Sequence, residues 1–161
     1  MLKEFRHELM IPSGIRYVIM HHSNDTQEKE KTLRYLKQIS NLLPGKIKNI
    51  IKKDTFVPFF NVSREFQEDI YKALDSVDFE EYNTKEIIAY FYERAIRYSL
   101  GRRTYITSDV IEWTYTSKEF LEETTKNSII ELIENAITEN KAGDEVDILN
   151  WKTVLKTLKG E

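Results

Sequence analysis

The chain has 161 residues, of which 40% are hydrophobic and 32% are charged, and it contains no cysteine. This apolar content excludes a wholly disordered chain. The lack of thiols excludes disulfide scaffolds, cysteine nucleophiles and cysteine-based metal sites. The length fits one domain over residues 1–161, and it leaves open an N-terminal subdomain, 1–60, beside a helical part, 61–161.

Charge is distributed unevenly along the chain. Residues 1–60 hold 11 basic and 6 acidic side chains, a net charge of +5, whereas residues 61–161 hold 13 basic and 21 acidic side chains, a net charge of -8. The basic residues are interspersed with acids, which indicates a solvated helical surface rather than a nucleic-acid-binding arm. No apolar run approaches the ~20 residues of a membrane-spanning helix, and the first residues lack the apolar block of a signal peptide. We therefore expect a cytoplasmic protein with no membrane segment.

The first segments in chain order combine helical and extended signals. Residues 1–10 predict a short helix that Pro12 and Gly14 would stop. Residues 15–20 are rich in β-branched and aromatic side chains, so they fit either a strand or a buried helix. Residues 56–60 cannot be helical throughout, because Pro58 favours an extended conformation at Val57, and their three phenylalanines should fill the core.

Helices alone are predicted between these two stretches and after them. Asp25 and Glu28 form a capping-box pattern that begins a helix, which should end at Leu43-Pro44-Gly45, and residues 46–53 predict a short amphipathic helix. Further helices are predicted after Ser63, over 84–100, after Ser108 or Thr107, after a capping box of Thr116 and Glu119, and from about Asp147. Gly101 is the left-handed residue that ends the second of these helices. The fourth reaches about Asn140, with or without a break near Asn127. The inward face of the helix after Ser63 should carry Phe66, Ile70, Ala73, Leu74 and Val77. The predicted fold is mainly α, a compact multi-helix domain, and the alternative is α+β with a small hairpin built from 15–20 and 56–60.

Motifs that mark an enzyme are missing from the sequence. It has no nucleophile elbow, phosphate-binding glycine loop or paired zinc histidines on a helix. His21, His22 and Asp25 would supply a metal with part of a ligand set, but adjacent histidines point in different directions on a regular element. We expect no catalytic residue, no metal site and no cofactor.

One string concentrates side chains that bind anions. Arg94 and Arg97 share a helix face, and Arg102 and Arg103 follow the predicted helix end. Cations at this position stabilise a helix C-terminus, so the string has a structural interpretation. As a functional interpretation, guanidinium groups beside aromatic rings bind phosphates, nucleotides or acidic protein surfaces. The candidate residues for a ligand or partner are Arg94, Arg97, Tyr98, Arg102, Arg103 and Tyr105.

The sequence resembles small accessory proteins of bacteriophages and prophages in three places. These are the run from Arg97 to Ile106, the Val-x-x-Trp helix after it, and a later Asp-x-x-x-Trp segment (Asp147 to Trp151). The resemblance covers residues 85–158 and brings no activity with it. It implies a protein that binds a host or defence protein, and the Lys-, Ile- and Asn-rich usage fits a low-GC bacterium or its phage.

Three functional hypotheses follow. The first is a non-catalytic protein that binds a host or defence protein as an inhibitor, with an acidic patch of Asp75, Asp78, Glu80 and Glu81 that would mimic nucleic acid. The second is a small-molecule or nucleotide binder that uses the Arg/Tyr string. The third is a nucleic-acid-binding regulator, and a homodimer is compatible with all three.

Overall fold

The computed structural model describes residues 10–59, 61–77, 81–102 and 108–161. This part of the chain forms eight α-helices and contains no strand, so the mainly α prediction is confirmed and the α+β alternative is wrong. The helices are α1 (Met10–His21), α2 (Thr26–Ile39), α3 (Gly45–Asp54), α4 (Arg64–Leu74), α5 (Thr84–Ser99), α6 (Asp109–Ser117), α7 (Glu123–Thr138) and α8 (Glu145–Lys159). Short 3-10 turns, Ser40–Leu42 and Lys118–Phe120, extend α2 and α6.

Helix α1 corrects the prediction for the first segments. Pro12 and Gly14 lie inside the helix instead of stopping it, and residues 15–20 continue it instead of forming a strand. Pro12 is the third described residue of α1, and proline is compatible with the first turn of a helix, where the backbone N–H groups have no intrahelical partner. Most of α1 is buried, and a helix that is apolar on nearly all sides is stabilised by its surroundings rather than by local propensity. The predicted helix over 1–10 lies outside the described residues, except for Met10.

Helix α1 packs along α5. Gly14 lies so close to α5 that a Cβ added there would stand 3.1 Å from both the carbonyl oxygen and the Cδ1 atom of Phe91. Near the other end of α1, Met20 contacts Arg102, which follows α5. The two contacts occur in the same chain order, so α1 and α5 run parallel. Helix α2 runs antiparallel to α5, because Glu28 contacts Arg94 whereas Tyr35 contacts Glu86.

Buried apolar side chains from all eight helices form one contiguous core in the described residues. Trp113 of α6 and Trp151 of α8 are the largest fully buried side chains. Segments from both 1–60 and 61–161 contribute to this core, and the division of the chain into one or two domains stays a prediction. Within the described ranges, no helix has the length and apolar character needed to cross a bilayer.

Local signals located several helix ends correctly. The Asp25 carboxylate accepts a hydrogen bond from the Glu28 backbone N–H at 3.1 Å, as the capping pattern predicts. Gly101 has a φ of +80° directly after α5, and a Cβ there would lie 2.7 Å from the Lys141 carbonyl oxygen. Ser63 occupies the N-cap position of α4, although its side chain makes no capping hydrogen bond.

Other local predictions are wrong. Val77 lies beyond the end of α4 and is 66% exposed rather than inward. No helix begins at Thr116, because α6 continues through it to Ser117. Helix α7 passes Asn127 without a break, so of the two alternatives for this helix the broken one is wrong. Residues 56–59 form turns rather than a strand, and Phe60 lies outside the described residues.

Candidate functional site

Arg94, the first residue of the predicted Arg/Tyr cluster, is held inside the protein. Its Nε donates to the Glu28 carboxylate at 2.5 Å, and only 15% of each side chain is exposed. Its guanidinium also stacks on the ring of Tyr90 at 3.6 Å from the ring centre. A partly buried guanidinium with a carboxylate and an aromatic face as partners links α2 to α5, and little of it is available to a ligand.

Tyr90 extends this contact into a polar network between α2 and α5. Its hydroxyl donates to Glu28 at 2.9 Å and is hydrogen-bonded to the Thr32 hydroxyl at 2.7 Å. Burial alone would raise the pKa of Glu28, but the hydrogen bond and charge of Arg94 and the Tyr90 hydroxyl together lower it. Burial raises the pKa of Tyr90. The network is therefore an ion pair with a neutral tyrosine at neutral pH.

A polar cleft of about 490 Å³ lies beside this network, between α2, α5 and the start of α7. Tyr35 lines it and donates its hydroxyl to Glu86 at 2.9 Å. Burial, followed by the hydrogen bond and charge of Glu86, raises the pKa of Tyr35. The cations of this cleft are matched by glutamates on the same walls: it is lined by Lys31, Lys85, Arg94, Glu86, Glu93, Glu119 and Glu122 among others.

The two other described arginines of the string also have partners in the protein. Arg97 contacts the Glu93 carboxylate and the Ser128 hydroxyl, each at 3.4 Å. The Arg102 Nε donates to the Tyr98 carbonyl, its guanidinium lies 4.1 Å from the centre of the Tyr98 ring, and its Nη2 donates to the Met20 sulfur at 2.6 Å. These contacts favour the structural interpretation, in which the cations stabilise the C-terminal end of α5. Arg103 and Tyr105 lie outside the described residues.

The predicted acidic patch is only partly described. Asp75 is exposed and its carboxylate accepts a hydrogen bond from the Lys52 ammonium at 2.7 Å. Glu81 is exposed as well. Asp78 and Glu80 lie outside the described residues, so the patch as a whole stays a prediction.

The two adjacent histidines lie at the C-terminal end of α1. The His21 ring is 4.5 Å from the ring of Tyr17, and Nδ1 of His22 is 3.7 Å from the Asp25 carboxylate. Burial, together with the positive charges of His22 and Arg102, lowers the pKa of His21. Over the described ranges, no group of three or more histidine, aspartate or glutamate side chains could hold a metal ion.

An open apolar surface lies elsewhere, between the end of α1, the start of α2, the segment after α3 and the start of α4. Its larger depression measures about 570 Å³. The described apolar side chains that line it are Ile19, Met20, Pro58, Phe59, Val62 and Phe66, and its polar rim is Ser23, Asn24, Lys29, Asn61 and Ser63. Met20 is 44% exposed.

A second depression of about 330 Å³ adjoins the first, because Phe59 and Val62 line both of them. Its other described lining residues are Lys52, Lys53, Phe56, Val57, Arg64 and Gln67. Val57 is 58% exposed. We refer to the two depressions together as the α4 groove. Its apolar walls and exposed apolar side chains give it the character of a binding surface.

Side chains from two other helices fix the segment that forms the groove. The Arg16 guanidinium of α1 donates to the carbonyls of Asp54 and Thr55, at 2.8 and 3.3 Å. The Tyr71 hydroxyl of α4 donates to the Lys52 carbonyl at 2.7 Å. These bonds satisfy carbonyls at the C-terminal end of α3, which have no partner within the helix. The C-terminal end of α3, on which the groove is built, is therefore fixed by side chains of α1 and α4.

The sequence pointed to the Arg/Tyr string and the acidic patch and missed this groove. The groove joins residues 19–29 to residues 52–67, and no motif connects these two stretches. The available signal was the run of apolar side chains before Ser63, which the sequence suggested as a strand or as a filling of the core. Comparisons of the chain with protein-family models, with curated proteins and with solved structures give no match.

Proposed function

We propose that this chain is a non-catalytic binding protein that uses the α4 groove to bind a partner protein. The observation that carries the proposal is the exposure of Met20 and Val57 at an apolar groove whose walls include Phe59 and Val62. Apolar surface on a rigid framework, with a polar rim around it, is typical of the centre of a protein interface. The resemblance to phage accessory proteins suggests a host or defence protein as the partner, in the bacterial cytoplasm, with inhibition as the outcome.

The contacts of the described arginines support this choice over the nucleotide-binding hypothesis. Arg94 and Arg102 are held by a carboxylate and by a carbonyl of the same chain. A phosphate would have to share these guanidinium groups with the Glu28 carboxylate and the Tyr98 carbonyl. Ligand binding and nucleic-acid binding therefore stay the alternatives, and they depend most on Arg103 and Tyr105.

The test is an affinity capture with the full tagged chain from a nuclease-treated lysate of a low-GC bacterium. Val57→Asp places a charge at the groove. Val146→Asp is its matched control, because Val146 is a similarly exposed valine (64%) on α8 and does not line the groove. We expect one stoichiometric protein that is lost with Val57→Asp and retained with Val146→Asp. Equal capture by both variants, or no captured protein, would contradict the proposal.

Two further arms address the alternatives. Lysine substitution of Asp75 and Glu81 abolishes capture of the partner if the acidic patch binds it by mimicking nucleic acid. The same substitution leaves capture unchanged if the α4 groove binds the partner. A thermal-shift panel of nucleotides raises the melting temperature of the chain only if the ligand-binding hypothesis is correct, because a ligand that binds the native state stabilises it.

A further inference from the structure

Four cationic side chains line the α4 groove. Lys29 stands at the larger depression, and Lys52, Lys53 and Arg64 stand at the smaller one. No carboxylate lines either depression among the described residues. This contrasts with the polar cleft beside α5, where glutamates accompany the cations.

The charges at the groove are compensated to different degrees. Lys52 has an ion pair with Asp75, the residue directly after the last residue of α4. Lys29 lies 5.5 Å from the centre of the Phe66 ring. Lys53 and Arg64 are exposed, and neither has a carboxylate within 4.0 Å in the part of the chain that the structure describes. Two cations without an acidic partner therefore stand beside the exposed apolar side chain of Val57.

A molecule that binds the α4 groove has to match both its apolar walls and the cations that have no acidic partner. Apolar atoms of the occupant would cover Phe59 and Val62 and remove their apolar surface from water, which favours binding. Carboxylates would face Lys53 and Arg64, where exposed ion pairs add little affinity but steer the encounter and select the partner.

A nucleic-acid duplex would satisfy the cations and leave the apolar walls uncovered. The bases of a single strand stack on exposed aromatic rings, whereas the exposed apolar side chains of this groove, Met20 and Val57, are not aromatic. A protein segment is therefore the better fit.

We infer that the α4 groove takes an acidic segment of a partner protein, with an apolar side chain seated against Phe59 and Val62 and with carboxylates beside Lys53 and Arg64. This inference rests on the proposed function and names the chemistry of its partner. The two depressions, of about 570 and 330 Å³, fall in the size range of pockets that bind small ligands or a few side chains. The segment is therefore a short anchor, and it is chosen by its charge as much as by its shape.

The test is a fluorescence-anisotropy titration of the full chain with labelled probes. Four peptides of equal length carry acidic plus apolar, basic plus apolar, acidic plus small polar, or neutral plus apolar side chains, and the fifth probe is a single-stranded oligonucleotide. We expect the acidic–apolar peptide to bind roughly tenfold more tightly than any other probe at about 50 mM NaCl. Raising the salt to about 500 mM should weaken this binding several-fold, because exposed charges are screened over a shorter distance.

Charge-reversal variants locate the binding. The pair Lys53→Glu and Arg64→Glu should weaken the acidic–apolar peptide roughly tenfold, and Val57→Asp should do the same, because each change opposes carboxylates at the groove. The control pair is Lys152→Glu and Lys156→Glu on α8, which changes the net charge equally at exposed positions that do not line the groove. Circular dichroism shows that every variant is folded before the titrations are compared.

Four results would overturn the inference: equal weakening by the control pair, stronger binding of the basic peptide, tighter binding of the oligonucleotide, or no binding of the acidic–apolar peptide. They are distinguishable from failure of the proposed function. If a captured protein is lost with Val57→Asp while the acidic–apolar peptide does not bind, then the function stands and the chemistry assigned to the partner is wrong.

Discussion

Tyr92 and Thr114 form a hydrogen bond that joins α5 to α6 inside the core. The neighbouring contacts show which hydroxyl is the donor and which is the acceptor. The two hydroxyl oxygens are 2.6 Å apart, and both residues are fully buried. The Thr114 hydroxyl donates its single hydrogen to the Val110 carbonyl at 2.7 Å. Tyr92 is therefore the donor to Thr114. Burial raises the pKa of Tyr92, so the tyrosine stays neutral and keeps this hydrogen.

Removal of the Tyr92 hydroxyl and removal of the Thr114 hydroxyl should lower the free energy of unfolding by different amounts. Tyr92→Phe leaves Thr114 bonded to Val110, so we expect it to lower the free energy of unfolding by about 1 kcal/mol, the usual net value of one hydrogen bond. Thr114→Val leaves a buried tyrosine hydroxyl without an acceptor and should cost about 2 kcal/mol. The double variant removes the orphaned donor and should be about 1 kcal/mol more stable than Thr114→Val alone.

Urea unfolding followed by far-UV circular dichroism measures all three free energies, with the wild-type chain and Thr114→Ser as references. Thr114→Ser keeps the acceptor and should recover the part of the loss that comes from the hydrogen bond. A larger loss of unfolding free energy with Tyr92→Phe than with Thr114→Val would refute the assignment of Tyr92 as the donor. A double variant whose loss is the sum of the two single losses would show that the hydroxyls do not interact.

Three further predictions concern the contacts around α1, α2 and α5. The pKa of Glu28 is lowered in the folded state by Arg94, so the stability that this pair contributes is present above the unfolded-state pKa and is lost as the pH falls through the folded-state pKa. Urea midpoints measured across acidic pH should therefore fall less in Glu28→Gln than in the wild type. The pKa of His21 is lowered from 6.5, so stability should also decline as the pH drops below 6.5, and His21→Gln should remove this part of the decline in the same titration. Gly14→Val forces a side chain against the backbone of Phe91 and should lower the free energy of unfolding by about 2 kcal/mol in the same assay; an unchanged midpoint would contradict the close packing of α1 on α5.

Local chemistry accounts for the parts of the fold that the sequence predicted correctly. The N-cap of α2 needs only Asp25 and the backbone of Glu28, three residues away, and the end of α5 needs only Gly101 with its positive φ. Helix α1 was missed because its local signals, Pro12 and Gly14, act against a helix, whereas its stability comes from burial beside residues far along the chain. Long-range packing overrides propensity in this helix, and no local window contains that information.

The arginines show the same limit of prediction from the sequence. Four of the eight arginines in 1–161 fall in the run from Arg94 to Arg103, and that density drew attention to the string. Yet Arg94 stands opposite Glu28 of another helix and is neutralised by it, whereas Arg64 stands alone in the sequence and has no carboxylate partner in the described structure. A guanidinium is available to a partner when the fold leaves it uncompensated beside apolar surface. The spacing of arginines along the chain does not report this property, and the placement of Glu28 against α5 decides it.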